Sequence, residues 1–198
     1  MTIRRGESWG EAVTDPGDLV DVDDDAALAA LVVAGDRRSL RLRGGDVLQT
    51  LGGPAPGPER QRFSLDVLRI TADGRALVAA AHVVARDAAS RGWRGPIVAI
   101  MNVDRIGRWD VAPPAHPNDG RADVVEVDEA MALRARWQAR RRLPSGTHVP
   151  HPAIRTARVT ARTWRFETPL GLWVDGVRHG GVRSLDLHVE PDAVFVHT

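Results

Sequence analysis

From residue 63 onward the chain is patterned mostly in short apolar runs and apolar–polar alternations, the signature of strands rather than of long amphipathic helices. Phe63 to Ala72 and Arg75 to Arg86 flank Asp73-Gly74, a dipeptide suited to a tight hairpin turn. Within the second arm, ALVAAAHVVA is apolar enough to be buried on both faces, and so is PIVAIMNV (96–103). Val124 to Val127 predicts a further strand. A helix then runs over roughly 129–142 and stops before Pro144 and Gly146. The remainder, ARVTARTWRF (157–166), LGLWVDG (170–176), SLDLHVE (184–190) and AVFVHT (193–198), reads as short strands separated by turns. Before residue 63 the pattern differs. Asp23 to Asp25 open a short Ala/Leu helix that ends at Gly35, and SLRLR (39–43) alternates as a strand into Gly44-Gly45-Asp46. LGGPAPGPERQ (51–61) has the Gly and Pro content of a linker. The expected architecture is α+β and β-rich. It divides into an N-terminal α/β segment over 1–53, a linker over 54–62, and a two-sheet, β-sandwich-like domain over 63–198.

Composition narrows the setting. The chain has 198 residues, 43% apolar and 27% charged, as in ordinary globular proteins. No apolar run approaches the ~20 residues that span a bilayer, and MTIRRGESWGEAVTDPGD lacks the apolar core of a signal peptide. With 0 Cys there is neither a disulfide framework nor a thiolate metal site, and a cytoplasmic location is the expectation. All 27 basic residues are Arg against 26 acidic ones, a balance that argues against a nucleic-acid partner.

Several stretches carry candidate chemistry. Gly44-Gly45-Asp46 after a strand is either a backbone cradle for phosphate or an ordinary tight turn. His148 and His151 lie three apart with His116 as a third imidazole, but Pro150 and Pro152 keep their segment extended and no further zinc ligand is near; hydrogen-bonding histidines in a rigid loop is the simpler reading. ALRARWQARRRL carries Arg134, Arg136, Arg140, Arg141 and Arg142, which suit phosphate on a lipid headgroup or a nucleotide, or an anionic membrane surface, although a solvated helix end is the simpler reading. In APPAHPNDG (112–120), prolines stiffen a turn with Asp119 at its tip, which fits a cradle for a hard cation or a hairpin tip.

Taken in order, these pieces resemble the C-terminal half of the bacterial diacylglycerol kinase and sphingosine kinase-like lipid kinases. In that family an Asn-ended strand leads to a Gly-rich loop, an APxAxxxDGxLDVxxV stretch, a helix, paired strands and a VDGE turn. Here Val98 to Asn102, Gly107 to Val111, APPAHPNDGRADVVEV (112–127) and Trp173 to Gly176 take those places in turn, so the resemblance covers about 63–198. It implies a β-sandwich-like domain beside a nucleotide-binding segment, with a structural Mg²⁺ held by the Asp119 carboxylate and by main-chain oxygens of His116 and Arg121. It also implies ATP at Gly44, Gly45 and Asp46, and catalytic roles for Asp46 and Asp175. Two departures accompany it. The family's GGDGT loop is here Gly44-Gly45-Asp46 followed by VLQT, and the Glu of VDGE, the family's proposed general base, is Val177, which cannot accept a proton. The resulting expectation is a lipid kinase-like protein that binds a lipid or amphiphile with weak or no phosphoryl transfer. The alternatives are an active small ATP- and Mg²⁺-dependent lipid kinase, and a non-enzymatic interaction protein or homodimer.

Overall fold

A computed structural model describes residues 9–14, 17–36, 38–55, 60–89 and 94–198. The linker predicted over 54–62, the loop at 87–95 and the N-terminal stretch each lie partly outside the described residues.

The N-terminal part contains β1 (Glu11–Val13), β2 (Leu19–Val22), α1 (Asp25–Val33), β3 (Ser39–Leu42) and α2 (Gly45–Thr50). The following strands are β4 (Arg60–Ala72), β5 (Arg75–Ala79), β6 (His82–Arg86), β7 (Ile97–Met101), β8 (Arg105–Ile106), β9 (Trp109–Asp110) and β10 (Ala122–Val127). The chain closes with α3 (Leu133–Arg142), β11 (Ile154–Val159), β12 (Ala161–Val174) and β13 (Val177–His197). The Asp24 carboxylate caps α1 by accepting the Ala27 N–H at 2.8 Å, which explains why the acidic run precedes the helix. No helix among the described residues is long and apolar enough to cross a membrane.

Among the described residues, eleven strands form one hydrogen-bonded sheet whose main path runs β1-β4-β13-β12-β6-β7-β10-β11, and β8 and β9 form a separate pair. That sheet folds over on itself. β4 and β10 are five strand spacings apart along the path, about 24 Å if the sheet were flat. Yet Asp66 of β4 donates its N–H to the Pro117 carbonyl at 2.8 Å, and its carboxylate accepts the Gly120 N–H at 2.7 Å, just before β10. The two layers enclose a core that includes Leu68, Ile70, Val98, Ile100, Leu172 and Leu185. Ile100 and Leu172 are fully buried, and each contributes about 2 kcal/mol through apolar burial. The result is a β-sandwich-like, β-rich α+β fold with a small N-terminal α/β segment.

The N-terminal segment is joined to the sheet through shared strands and a shared core. β3 pairs in parallel with β13 at Val196 and His197, and a second apolar cluster joins Leu28, Leu40 and Val47 to Phe63, Leu65 and Val196.

The Asp73-Gly74 hairpin forms, with positive φ at both turn residues (47° and 80°) and Ala72 paired to Arg75. Its second arm is two strands rather than one. β5 stays with β4, whereas β6 pairs with β7 and β12, and the break falls at Ala80-Ala81. The cause lies in the Asp175 carboxylate, which accepts the N–H groups of Ala80, Ala81 and His82 at 2.8, 3.0 and 2.9 Å and so removes them from a ladder. SLDLHVE and AVFVHT, in contrast, belong to the single strand β13, whose pairing with β4 is irregular between Glu190 and Val194 around Asp192 (φ 52°). The helix α3 starts four residues later than 129. The buried Arg136 guanidinium gathers the carbonyls of Asp128, Glu129 and Met131 and holds that stretch as a turn.

Candidate functional site

Strand alternation creates a cavity. In β7, Val98 and Ile100 point into the sandwich core, so Ile97 and Ala99 face the other way. The same parity puts Val83 and Ala85 of β6 inside and His82, Val84 and Arg86 outside, and it puts Val125 and Val127 of β10 outside. This outer face of β6–β7–β10 is roofed by α3, flanked by Ile106 and Trp109 of the β8–β9 pair, and closed by Leu143, His148 and Ile154. Between them lies a cavity of about 650 Å³, a volume suited to a small ligand.

The lining is apolar except at identifiable points. Arg134 and Arg140 of α3 border the cavity, beside the exposed Leu133 and Trp137. Arg141 stacks over Trp137 and Arg86 over Trp173, with guanidinium carbons 4.6 and 4.4 Å from the ring centroids. His82 is 5% exposed and its Nδ1 has no hydrogen-bond partner. His148 is 4% exposed and lies against the Val111 backbone. Burial lowers the pKa of both imidazoles.

His82 also joins the cavity to a cluster of carboxylates. Asp46 Oδ2 stands 3.6 Å from His82 Nδ1, too far for a hydrogen bond, while Asp46 Oδ1 accepts the Gly107 N–H at 2.8 Å. Asp175 lies on the other side, bound to the 80–82 backbone, and burial raises its pKa. Asp46 and Asp175 are thus brought around one histidine, which sequence reasoning did not single out. A lone His inside ALVAAAHVVA was the available signal, since an imidazole in an otherwise apolar strand must meet something.

The Gly44-Gly45-Asp46 turn is occupied by the chain itself. Asp25 accepts the N–H groups of Asp46 and Val47 at 2.6 and 3.1 Å, the donors that a phosphate cradle would offer. Both glycines are required by this packing. A Cβ on Gly44 would stand 2.4 Å from the Asp23 carbonyl oxygen. One on Gly45, at φ +95°, would stand 2.2 Å from Asp25 Oδ1.

Burial pushes the Asp25 carboxyl up to about 7, against its two hydrogen bonds and with the help of the negative charge of Asp175 and Asp46. The folded chain therefore keeps a proton that the unfolded chain releases. This part of the stability is greatest at low pH and is lost as pH rises from about 3.8 to about 7. Asp25→Asn removes it, so the variant's melting temperature should fall less than the wild type's across that window. His82 has the opposite sign, losing stability as pH drops below its ordinary 6.5, but it is common to both proteins. Parallel thermal melts at the two ends of the window check the difference; identical slopes contradict it.

Ahead of β10, Asp119 sits in the proline-rich turn with 7% exposure. Its Oδ1 accepts the Arg121 N–H at 3.0 Å and its Oδ2 pairs with the Arg158 guanidinium of β11. Arg158 Nε also lies 3.5 Å from Asp123 Oδ2, and burial pushes the Asp123 carboxyl up to about 6. His116 uses its Nδ1 to accept the Asn118 N–H at 3.2 Å, and Asn118 in turn donates to the Ser64 carbonyl at 2.9 Å. No group of three His, Asp or Glu side chains among the described residues is placed to hold a metal ion. The carboxylate expected to hold Mg²⁺ is here paired with the Arg158 guanidinium. Arg158 left no mark in the sequence, being one Arg among many in alternating ARVTAR.

His151 stands apart from these clusters, with its Nδ1 accepting the Ala153 N–H at 3.1 Å.

Similarity to known proteins agrees with this architecture. Three solved structures from Bacillus anthracis str. Sterne share the fold, one described as a diacylglycerol kinase and two as candidate diacylglycerol kinases. Their TM-scores are 0.61, 0.66 and 0.65 at 12, 11 and 12% identity. Each comparison covers 90% of this chain, and 75, 77 and 77% of the respective structure. No curated protein matches the sequence. Residues 59–198 match the family described as the YegS C-terminal NAD kinase beta sandwich-like domain, and the chain belongs to that family.

Proposed function

We propose that this protein binds a lipid or similar amphiphile in the cavity beneath α3 and carries out little or no phosphoryl transfer. The observation that carries the reading is the cavity itself: about 650 Å³, lined mostly by apolar side chains, with His82, His148 and the arginines Arg86, Arg134, Arg136 and Arg140 as its polar groups. The relatives' description as diacylglycerol kinases supports a lipid as the occupant.

The second half of the proposal rests on where the phosphotransfer parts are spent. Phosphoryl transfer needs a phosphate cradle, a cation and a placed base. Asp25 takes the cradle's N–H groups, Arg158 takes the Asp119 carboxylate, and Val177 stands at the base position with 48% exposure. Asp175, the neighbouring carboxylate, is committed to three backbone N–H groups. Dispersed diacylglycerol incubated with the purified protein, ATP and Mg²⁺ should yield no phosphorylated lipid above the protein-free background. Turnover that Asp46→Ala abolishes would instead support an active kinase.

The same reading places α3 against an anionic membrane surface. Leu133 and Trp137, 50 and 58% exposed, sit one helical turn apart at the cavity mouth, with Arg134, Arg140 and Arg141 around them. Co-sedimentation with phosphatidylglycerol vesicles should exceed that with phosphatidylcholine vesicles. It should fall with added salt and weaken several-fold in Trp137→Ser. Equal sedimentation of the wild type and Trp137→Ser would remove α3 from the contact.

A further inference from the structure

The cavity beneath α3 is charged with one sign. Among the described residues that line it are Arg86, Arg134, Arg136 and Arg140, and no Asp or Glu. Arg86 comes from the sheet, on β6, and the other three from α3. In a chain whose formal net charge is only +1, arginines elsewhere find carboxylates: Arg41 pairs with Asp21, Arg62 with Glu11, Arg69 with Glu190 and Arg162 with Glu126. Among the described residues neither Arg86 nor Arg134 has such a partner. The first turn of α3, which holds Arg134, contains no acidic residue. Asp46 and Asp175, beside His82, stand outside the lining and accept backbone N–H groups. Cations gathered in a cleft with apolar walls reinforce one another's field and draw an anion into it.

The four arginines are not equivalent. Arg136 is buried and spends its guanidinium on the carbonyls of Asp128, Glu129 and Met131, while Arg140 lies over the Trp109 ring at 5.8 Å. Arg86 is half-buried and oriented. Its guanidinium carbon is 4.4 Å from the Trp173 ring centroid, and its Nη1 donates to the Asp87 carbonyl at 3.3 Å. The Nε–Nη2 edge is left, a planar fork that matches the two oxygens of a carboxylate. Arg134 is exposed on the roof of the same cavity.

We infer that the cavity takes a carboxylate-headed amphiphile, with Arg86 and Arg134 receiving the head and Val84, Ala99 and Val125 lining the space for the apolar chain. This rests on the reading of the cavity as an amphiphile site and adds the charge and type of the head. A neutral head would leave both guanidiniums without a counter-charge. A phosphate monoester carries nearly two charges and sheds more hydration on entering an apolar space than a monoanion does. Arg86 belongs to the sheet beneath the roof, so a head that reaches it is at the cavity rather than on the outer face of α3.

The test compares three probes with one chain length, each kept below its micelle concentration so that single molecules bind: decanoate, methyl decanoate, which is uncharged, and decyl phosphate. Calorimetric titration of the full chain at pH 8 and low salt should show decanoate binding about tenfold or more tightly than methyl decanoate, and more tightly than decyl phosphate. Added salt should erode the preference for decanoate over the ester. Arg86→Gln and Arg134→Gln should each reduce that preference several-fold, and the double variant should bring the two affinities to parity. The wild-type comparison decides the matter even where a variant fails to fold. Equal binding of decanoate and methyl decanoate, decyl phosphate binding as tightly as decanoate or more so, or a preference that survives in the folded double variant overturns the assignment while leaving amphiphile binding intact. Failure of all three probes to bind removes the amphiphile reading and this inference with it.

Discussion

Arg158→Ala should lower the melting temperature by about 4–8 °C, more than a typical surface arginine would. The substitution leaves Asp119 and Asp123, 7 and 6% exposed, facing each other without a cation. Breaking a buried pair by deleting one partner costs roughly 3–5 kcal/mol. Arg158 is 45% exposed at its side chain, so solvent screening brings the figure to about 2 kcal/mol. For a chain of this size each kcal/mol moves the melting temperature by about 2–4 °C. The ionic consequence is more telling than the size. The wild type should melt at the same temperature with millimolar Mg²⁺ as with EDTA, since its own guanidinium neutralises the turn. The variant should regain part of its loss when Mg²⁺ or Ca²⁺ is added, because a divalent ion can then take the place of the guanidinium beside the unpaired carboxylates. A wild-type melting temperature that falls on chelation would contradict the assignment of Arg158 to that place.

Ala99→Trp should abolish amphiphile binding, with a loss of at least about 100-fold, and should leave the fold intact. Ala99 lies on β7 with its side chain on the cavity face, between strands whose opposite faces form the sandwich core. An indole there fills much of the space under α3. It does not enter the core between the layers, which Val98 and Ile100 reach from the other face. A fully occupied cavity loses the apolar burial that drives binding, roughly 25 cal/mol for each Å² that can no longer be covered. Circular dichroism and a cooperative melt close to the wild type's would show that the loss is one of space. Undiminished binding would place the amphiphile elsewhere.

The elements that local chemistry specifies were legible in the sequence. Asp73-Gly74 is a hairpin turn because both residues accept positive φ, and Asp24 opens α1 because its carboxylate can cap an N–H. The APPAHPNDGRADVVEV stretch and the VDG turn pointed to the lipid kinase-like family, and the family match and the shared fold agree. What escaped depends on contacts between distant segments. Asp175 splits the 75–86 arm from about ninety-five residues away, and only that split puts His82 at a strand start facing the cavity. Asp25 fills the Gly-Gly turn from twenty-one residues upstream, so two glycines that suggested phosphate answer instead to the close approach of a carboxylate. Arg158 reaches Asp119 across the β10–β11 pairing, and nothing in its own neighbourhood marks it. His148, whose spacing from His151 is the sequence signal, lines the same cavity as His82 in the fold.

Whether the cavity beneath α3 takes a lipid decides the function proposed for this protein. Trp109, Trp137 and Trp173 line or border it, so a titration of the wild-type protein with a short-chain diacylglycerol, followed by tryptophan emission, reads the site directly. The prediction is a saturable blue shift, absent in Ala99→Trp and unaffected by adding ATP and Mg²⁺. No saturable change in a folded wild-type protein, or an identical change in Ala99→Trp, would contradict it.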